Sequence, residues 1–313
     1  MPAQPTGNGE WPGDRRAELQ ARRALRRQQV RRRRLIAVAA LLVAAAALGA
    51  VVFAGSTGGK RVAGRAAPVK RGRRGAEPVS VAADSTPRPD WQPHTGSVPI
   101  LEYHVLGAAP ADAPYPDLYV TRPDFHRQMD WLDEHGYEAV TLDRVEAAWY
   151  RGGTLPPKPV VISFDDGYRP QFTYALPELR KHGWAGVLNL KAEGSDLYPS
   201  NVEAMIAAGW ELASHTIHHL DLTTLDASQL REEVAGSRAI LRREYGVPVD
   251  NFCYPSGRYD ATVIEALEAA GYAGATTEIP GYASRSHPYE LDRFEILGSG
   301  GVAALAADLS SGP

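Results

Sequence analysis

From Val98 onward, short apolar β-forming runs alternate with stretches whose apolar residues recur at helical spacing. Val98–His104 predicts a strand. Thr121 reads as the N-cap of a helix that carries Phe125, Met129 and Leu132 on one face and closes at Gly136. Further strands are predicted near Ala139–Leu142, Val160–Phe164, Gly186–Leu190, Glu211–Ser214, Asn251–Tyr254 and Gly274–Thr277, with a last one over Asp292–Leu297. Helical patterns intervene near Phe172–His182, Asn201–Ala208, Ser228–Tyr245 and Ala261–Ala270. Repeated βα units imply an α/β fold with a parallel sheet, and about seven of them imply a distorted (β/α) barrel. An open doubly wound sheet is the alternative. A barrel places its active site at the C-terminal strand ends. His104, Asp165, Asp166, His215 and Pro255 each fall at such an end.

The region before Val98 has a different pattern. Leu35–Ala54 is an uncharged run of 20 residues, long enough to cross about 30 Å of hydrocarbon. It follows Arg31-Arg32-Arg33-Arg34 and six earlier arginines, which favours a cytoplasmic N-terminus. The expected organisation is a basic tail over 1–34, a transmembrane anchor over 35–54, a flexible linker over 55–95 and a catalytic domain over 96–313. A cleaved signal peptide is the alternative, although its apolar region usually runs about 7–15 residues. Either way the main domain is expected outside the cytoplasm.

Charge sharpens that division. The formal net charge of −3 conceals 17 Lys/Arg against 3 Asp/Glu up to Arg74, and 17 against 34 thereafter. A domain of net −17 repels nucleic acid and attracts polycations, so no nucleic-acid partner is expected. The single Cys253 excludes an internal disulfide.

The candidate chemistry starts at Val160–Tyr168, VVISFDDGY, where an apolar strand stops at two carboxylates and a glycine. Adjacent side chains on an extended backbone point different ways, so one acid can bind a metal while its neighbour moves protons. His215 and His219 are four apart and would share a face on a helical turn, with His218 also within reach of that spacing. Two imidazoles and one carboxylate leave an open position on a catalytic Zn²⁺. The same donor set also suits an Fe(II) oxygenase triad.

Ser163-Phe164-Asp165-Asp166-Gly167, His215-Thr216-Ile217-His218-His219 and Phe252-Cys253-Tyr254-Pro255-Ser256-Gly257 resemble, in order and interval, three motifs of the polysaccharide deacetylases, carbohydrate esterase family four. The resemblance covers roughly Val98 to Leu309. It implies a barrel of about seven βα units and hydrolysis of N-acetyl groups on an amino-sugar polymer. It also implies Asp165 as general base and Asp166, His215 and His219 as ligands of a divalent metal, with zinc expected. The third motif, here Tyr254, Pro255 and Ser256, implies a substrate and oxyanion wall, with the Ser256 backbone N–H as a donor.

Two positions depart from the commoner pattern. Cys253 and Ser256 stand where an Arg that holds the base and a Tyr are usual, and no histidine follows His287 to act as general acid. Ile100-Leu101-Glu102-Tyr103-His104 resembles an upstream motif of the branch that deacetylates poly-N-acetylglucosamine exopolysaccharide. That likeness implies His104 as the acid, with Glu102 on the same side of the strand to orient it. Arg293 resembles a late basic residue of this branch and is expected to tether Asp165. The expected partners are an N-acetylated amino-sugar polymer and, through the N-terminal helix, a membrane. A catalytically impaired carbohydrate-binding protein and a peptidoglycan deacetylase are the alternatives, the polymer being chosen by loops such as Gly107–Leu118.

Overall fold

The computed structural model describes residues 88 and 90–312. The expected basic tail and membrane anchor, and all of the expected linker up to residue 87, lie outside these residues. Among the described residues no helix is long and apolar enough to cross a membrane.

Strands and helices alternate as the periodicity predicts. The elements that build the site are β1 (Val98–Tyr103), α1 (Arg122–Glu134), α2 (Leu142–Arg151), β2 (Pro159–Asp165), α3 (Leu176–Lys181), β3 (Val187–Leu190), α4 (Pro199–Ala207), β4 (Glu211–Ser214), α5 (Ala227–Arg231), α6 (Ser237–Tyr245), β5 (Asn251–Cys253), α7 (Ala261–Ala270), β6 (Gly274–Thr276), β7 (Phe294–Glu295) and α8 (Gly301–Ser310). Parallel pairing runs from β1 through β2, β3, β4 and β5 to β6. These strands form an α/β half-barrel. Thr276 bridges to Leu291 in parallel, and β7 just beyond pairs in parallel with β1.

Several elements differ from those the periodicity predicts. The apolar stretch Ala139–Leu142 gives only the two-residue strand Glu138–Ala139. Leu142 instead opens α2, whose Leu142, Val145, Ala148 and Trp149 are buried; four β-like residues were too short a window to reveal this helical period. The pattern over Ser228–Tyr245 is interrupted by a π-helical segment, Glu232–Gly236, between α5 and α6. The last strand is shorter than predicted, and α8 was not predicted. The α1 reading stands: Thr121 Oγ1 accepts from the Asp124 N–H at 3.2 Å, Phe125, Met129 and Leu132 are buried, and Gly136 follows with φ +75°.

Two apolar layers follow from the period of two along each strand. Leu101, Tyr103, Ile162, Phe164, Leu188 and Leu212 pack against the helices. Ile100, Val161, Val187, Ala213 and Leu291 pack in a second cluster with α2 on the other side of the sheet. Each fully buried aliphatic or aromatic side chain contributes about 1.5–3 kcal/mol, so the alternation commits every strand to one register. A slip by one residue would expose the site's polar side chains to the helices.

At the N-terminal strand ends the same interior side becomes acidic. Glu211 and Asn251, at the starts of β4 and β5, meet Asp143 and Glu146 of α2. Glu211 Oε2 accepts from the Asp143 N–H at 2.8 Å, and Asn251 Nδ2 donates to Glu211 Oε1 at 2.9 Å. A Cβ on Gly274 would lie 2.6 Å from Glu146 Oε1, so the strand passes against this carboxyl with no room for a side chain. Burial, reinforced by Asp143, pushes Glu146 up to about 8. A raised carboxyl favours the fold below its unfolded pKa and loses that contribution as pH climbs through the folded value. Wild-type stability is therefore expected to fall between pH 5 and 8.5 by an amount on the order of 3 kcal/mol from this group. Glu146→Gln is expected to flatten the slope in urea denaturation across that interval; equal slopes for the two proteins would show that Glu146 is ionised in the folded state.

Candidate active site

The polar interior of the strands' C-terminal ends converges on one guanidinium. Arg293, immediately before β7, is 1% exposed. Its Nη1 and Nη2 donate to Asp165 Oδ1 and Oδ2, each at 2.9 Å. Nε donates to the Thr277 carbonyl at 2.8 Å, and Nη2 lies 3.2 Å from Glu102 Oε2. The tether expected from Arg293 is therefore a two-point fork, not a surface ion pair. Cys253 occupies the place of the usual arginine, with its thiol 3.3 Å from both Asp165 Oδ2 and Arg293 Nη2. A small side chain there leaves room for a guanidinium arriving from the other end of the sheet.

Burial alone would raise the Asp165 carboxyl, but Arg293, His215 and His104 outweigh it and hold the group well below the usual carboxylate range. Glu102 goes the other way. Burial raises it, Arg293 only partly offsets this, and Asp165 adds to the rise. One buried cation thus holds the Asp165 carboxyl low, while burial keeps that of Glu102 raised despite it. Glu102 Oε1 also lies 3.7 Å from His104 Nε2, and donor atoms of Glu102, His104 and Asp165 all fall within 4.8 Å of one another. Glu102 and His104 are neighbours, as expected, but no hydrogen bond joins them: both Glu102 carboxyl oxygens are buried without a hydrogen-bond partner.

Asp166, His215 and His219 form the neighbouring group, again with donor atoms within 4.8 Å of one another. His215 Nε2 and His219 Nε2 stand 3.9 and 3.7 Å from Asp166 Oδ1. His215 Nδ1 is 2.8 Å from the Cys253 carbonyl, which accepts the ring proton and leaves Nε2 with a free lone pair. Burial lowers His215 to about 4 and also lowers His219, so both rings are neutral near pH 7 and in the form that ligates a metal. These residues fit a divalent ion.

The helical turn expected for His215–His219 is not there. The segment is a loop in which Thr216 and His219 take φ of +66° and +57°. Glu233, in the π-helical segment, holds it: one carboxylate oxygen accepts from the Ile217 and His218 N–H groups, each at 3.0 Å, and the other lies 2.6 Å from His218 Nδ1. His218 is thereby turned away and half exposed. The positive-φ residues other than glycine among the described residues are Asp166, Thr216, His219 and Ser256. All four lie in the loops of this site, and such backbone costs of order 1–3 kcal/mol each unless the surroundings enforce it. Gly167 (φ +77°) follows Asp166, and a Cβ there would lie 2.6 Å from Leu190 Cδ1 and Ser195 Oγ.

Tyr254 and Pro255 are buried beneath the third loop, and Ser256 is exposed at its tip. The Tyr254 hydroxyl donates to the Tyr289 carbonyl at 2.9 Å, and its ring stacks on Tyr259 at 4.6 Å, so its side chain builds the wall and offers the site no free donor. Besides Glu233, three more residues escaped the sequence reading. Asn189 Nδ2 donates to Asp165 Oδ1 at 2.6 Å; an amide inside the apolar strand Val187–Leu190 was its signal. Gln171 Nε2 donates to the carbonyls of His104 and Asp165 at 2.9 and 2.6 Å, locking two strand ends together from a π-helical turn. Lys191 Nζ lies 3.4 Å from Asp166 Oδ1. Neither of these last two carried a pattern that marks it.

The polysaccharide deacetylase family profile matches residues 152–275. YxkH of Bacillus subtilis, assigned by name to the polysaccharide deacetylases, is 30% identical over 219 residues, covering 68% of this chain and 76% of that protein. The chain belongs to the polysaccharide deacetylase family. A poly-β-1,6-N-acetyl-D-glucosamine N-deacetylase of Escherichia coli is 36% identical over 95 residues, 30% of this chain and 14% of that protein. A polysaccharide deacetylase structure from Bacillus cereus superposes with a TM-score of 0.61 at 25% identity, covering 68% of this chain and 69% of that one. The Streptococcus pyogenes deacetylase PplD, in complex with acetate, shares the fold with a TM-score of 0.63 at 23% identity, covering 69% and 99%. In this chain a late arginine, Arg293, holds Asp165, and the third motif carries Cys253 beside it.

Proposed function

We propose that this chain is a metal-dependent N-deacetylase that removes acetyl groups from an N-acetylglucosamine-containing exopolysaccharide outside the cytoplasm, tethered by its N-terminal apolar run. The observation that carries the reading is the Arg293-clamped, ionised Asp165 directly beside the Asp166–His215–His219 donor set. His104, reached from the upstream strand, favours the exopolysaccharide branch over peptidoglycan, and the 36% identity to the E. coli enzyme over 95 residues supports the same choice. We also read the half-barrel as a distorted barrel of about seven βα units, which the Thr276–Leu291 bridge and the β7–β1 pairing support.

A divalent ion, zinc in this reading, would be held by Asp166, His215 and His219 and would polarise both the attacking water and the acetamide carbonyl. Asp165 accepts the water proton. Its Oδ1 is saturated by Asn189 and Arg293, whereas Oδ2 shares only Arg293 and a weak thiol donor, so Oδ2 is the oxygen with capacity to spare. The Ser256 backbone N–H, on a left-handed residue at the loop tip, is the donor assigned to the developing oxyanion. His104 passes a proton to the departing sugar amine.

The test is acetate release by the purified full chain from partly acetylated β-1,6-glucosamine oligomers and from peptidoglycan fragments. Release from the former is expected, abolished by a chelator and restored by Zn²⁺. His104→Ala is expected to lower it by roughly 10²–10⁴-fold with metal content unchanged. Undiminished release by that variant discards the acid assignment, and metal uptake without release from either substrate favours the carbohydrate-binding alternative.

A further inference from the structure

A second group of histidines and carboxylates lies on the helical layer, away from the strand ends. His126 and Asp130 are one turn apart on α1, and Glu178 and His182 are one turn apart on α3 and its C-terminal cap. The two pairs face each other. His126 Nδ1 is 2.8 Å from Glu178 Oε1, and its Nε2 is 3.3 Å from Asp130 Oδ2. His182 Nε2 is 3.6 Å from Asp130 Oδ1 and 4.0 Å from Glu178 Oε1. Donor atoms of His126, Asp130 and Glu178 lie within 4.8 Å of one another. Ligands bonded at about 2.0–2.2 Å around a tetrahedral ion stand roughly 3.4 Å apart; the His126 Nε2–Asp130 Oδ2 and His182 Nε2–Asp130 Oδ1 separations match that spacing, whereas the His126 Nδ1–Glu178 Oε1 contact is a hydrogen bond on the other ring nitrogen.

His182 distinguishes this cluster from a set of surface ion pairs. Its side chain is only 10% exposed, and Nε2 is buried with no hydrogen-bond partner. A protonated imidazole paired with these acids would bring Nε2 to about 2.7–2.9 Å from one of them. Distances of 3.6 and 4.0 Å are too long for that hydrogen bond and suit two donors on either side of an ion. The ring is also held as a ligand would be. It stacks on Trp184 at 4.6 Å, and Asp133 Oδ2 lies 3.5 Å from Nδ1 on the far side of the ring. Glu178 is oriented similarly: Lys181 binds its Oε2 at 2.7 Å, leaving Oε1 turned inward.

We propose that His126, Asp130, Glu178 and His182 form a second divalent-metal site, closed and structural, that staples α1 to α3. Two imidazoles with two carboxylates select a zinc-like ion over Mg²⁺ or Ca²⁺, which prefer all-oxygen shells. Four protein donors leave no open position for substrate, so the ion ties helix to helix and takes no part in deacetylation. Its effect is on the layer that supports β1 and β2: α1 buries Phe125 against Tyr103 and Phe164, the residues next to Glu102 and Asp165.

The experiment is equilibrium dialysis of the metal-free full chain against Zn²⁺, with bound metal counted by mass spectrometry and melting followed by circular dichroism. Two equivalents are expected for wild type and one for His215→Ala/His219→Ala, whose melting temperature still rises on adding Zn²⁺. His126→Ala/His182→Gln is expected to hold one equivalent and to deacetylate at the wild-type rate when loaded. Should that variant fold poorly, Asp130→Asn, which keeps shape and removes the charge, is expected to bind the second equivalent at least tenfold more weakly. A folded His215→Ala/His219→Ala protein that takes up no Zn²⁺ and shows no shift in melting would overturn the site.

Discussion

Replacing Arg293 with methionine is expected to destabilise the protein by about 3–5 kcal/mol and to abolish deacetylation. The magnitude is that of removing one partner from a buried charge pair, and the geometry puts Arg293 at the upper end. Its guanidinium is the counter-charge of Asp165, a neighbour of Glu102 and the donor to the Thr277 carbonyl. Methionine fills much of the volume but leaves Asp165, 2% exposed, to keep its ionised form on Asn189 and a thiol alone. Lysine restores a charge without the fork, so Arg293→Lys is expected to recover part of the stability and little of the activity, because Asp165 is then held at one oxygen. Urea denaturation midpoints and acetate release of the three proteins decide it. A methionine variant as stable as wild type would mean that Asp165 draws its stability from elsewhere.

Asp165→Asn is expected to reduce acetate release by roughly 10²–10⁴-fold while leaving metal uptake in place, since Asp166, His215 and His219 are untouched. The amide cannot accept a proton from water at neutral pH. Its NH₂ also points a donor at Arg293 or Asn189, where the carboxylate had accepted, so a loss of stability accompanies the loss of rate. Comparing the two variants separates the roles: both lose activity, but only Arg293→Met leaves an ionised carboxylate buried without its cation. Metal content and acetate release measured on the same preparation provide the check, and activity of Asp165→Asn within tenfold of wild type would remove Asp165 as the base.

How much of this was legible differs from residue to residue. VVISFDDGY announced a strand ending in chemistry because apolar residues and adjacent acids conflict within a few positions, and that conflict is local. The histidine spacing was equally visible, yet its geometry was misread. A four-residue interval suggested a helical turn, whereas Glu233 and two left-handed residues shape a loop that brings the same two rings together. Arg293 could be suspected only from what was missing at Cys253 together with its resemblance to a late basic residue of one branch. Asn189 left a faint trace as one amide in an apolar strand, and Gln171 none, because an isolated polar residue in a helical stretch looks like any exposed one.

The sequence by itself determined most of the order of strands and helices and the identities of the acids and histidines at the strand ends. Those properties follow from residue type and from periods of two and 3.6, which a few neighbouring residues suffice to express. The tertiary structure decided which charges meet. Arg293 reaches Asp165 across 128 residues because Leu291 pairs with β6 and β7 with β1, and His126 meets Glu178 across 52 because α1 and α3 pack side by side. Strand pairing and helix packing are set by the whole core at once, so no local pattern encodes them. The burial that raises Glu102 and the buried Arg293 that keeps Asp165 ionised act together only after that core has closed.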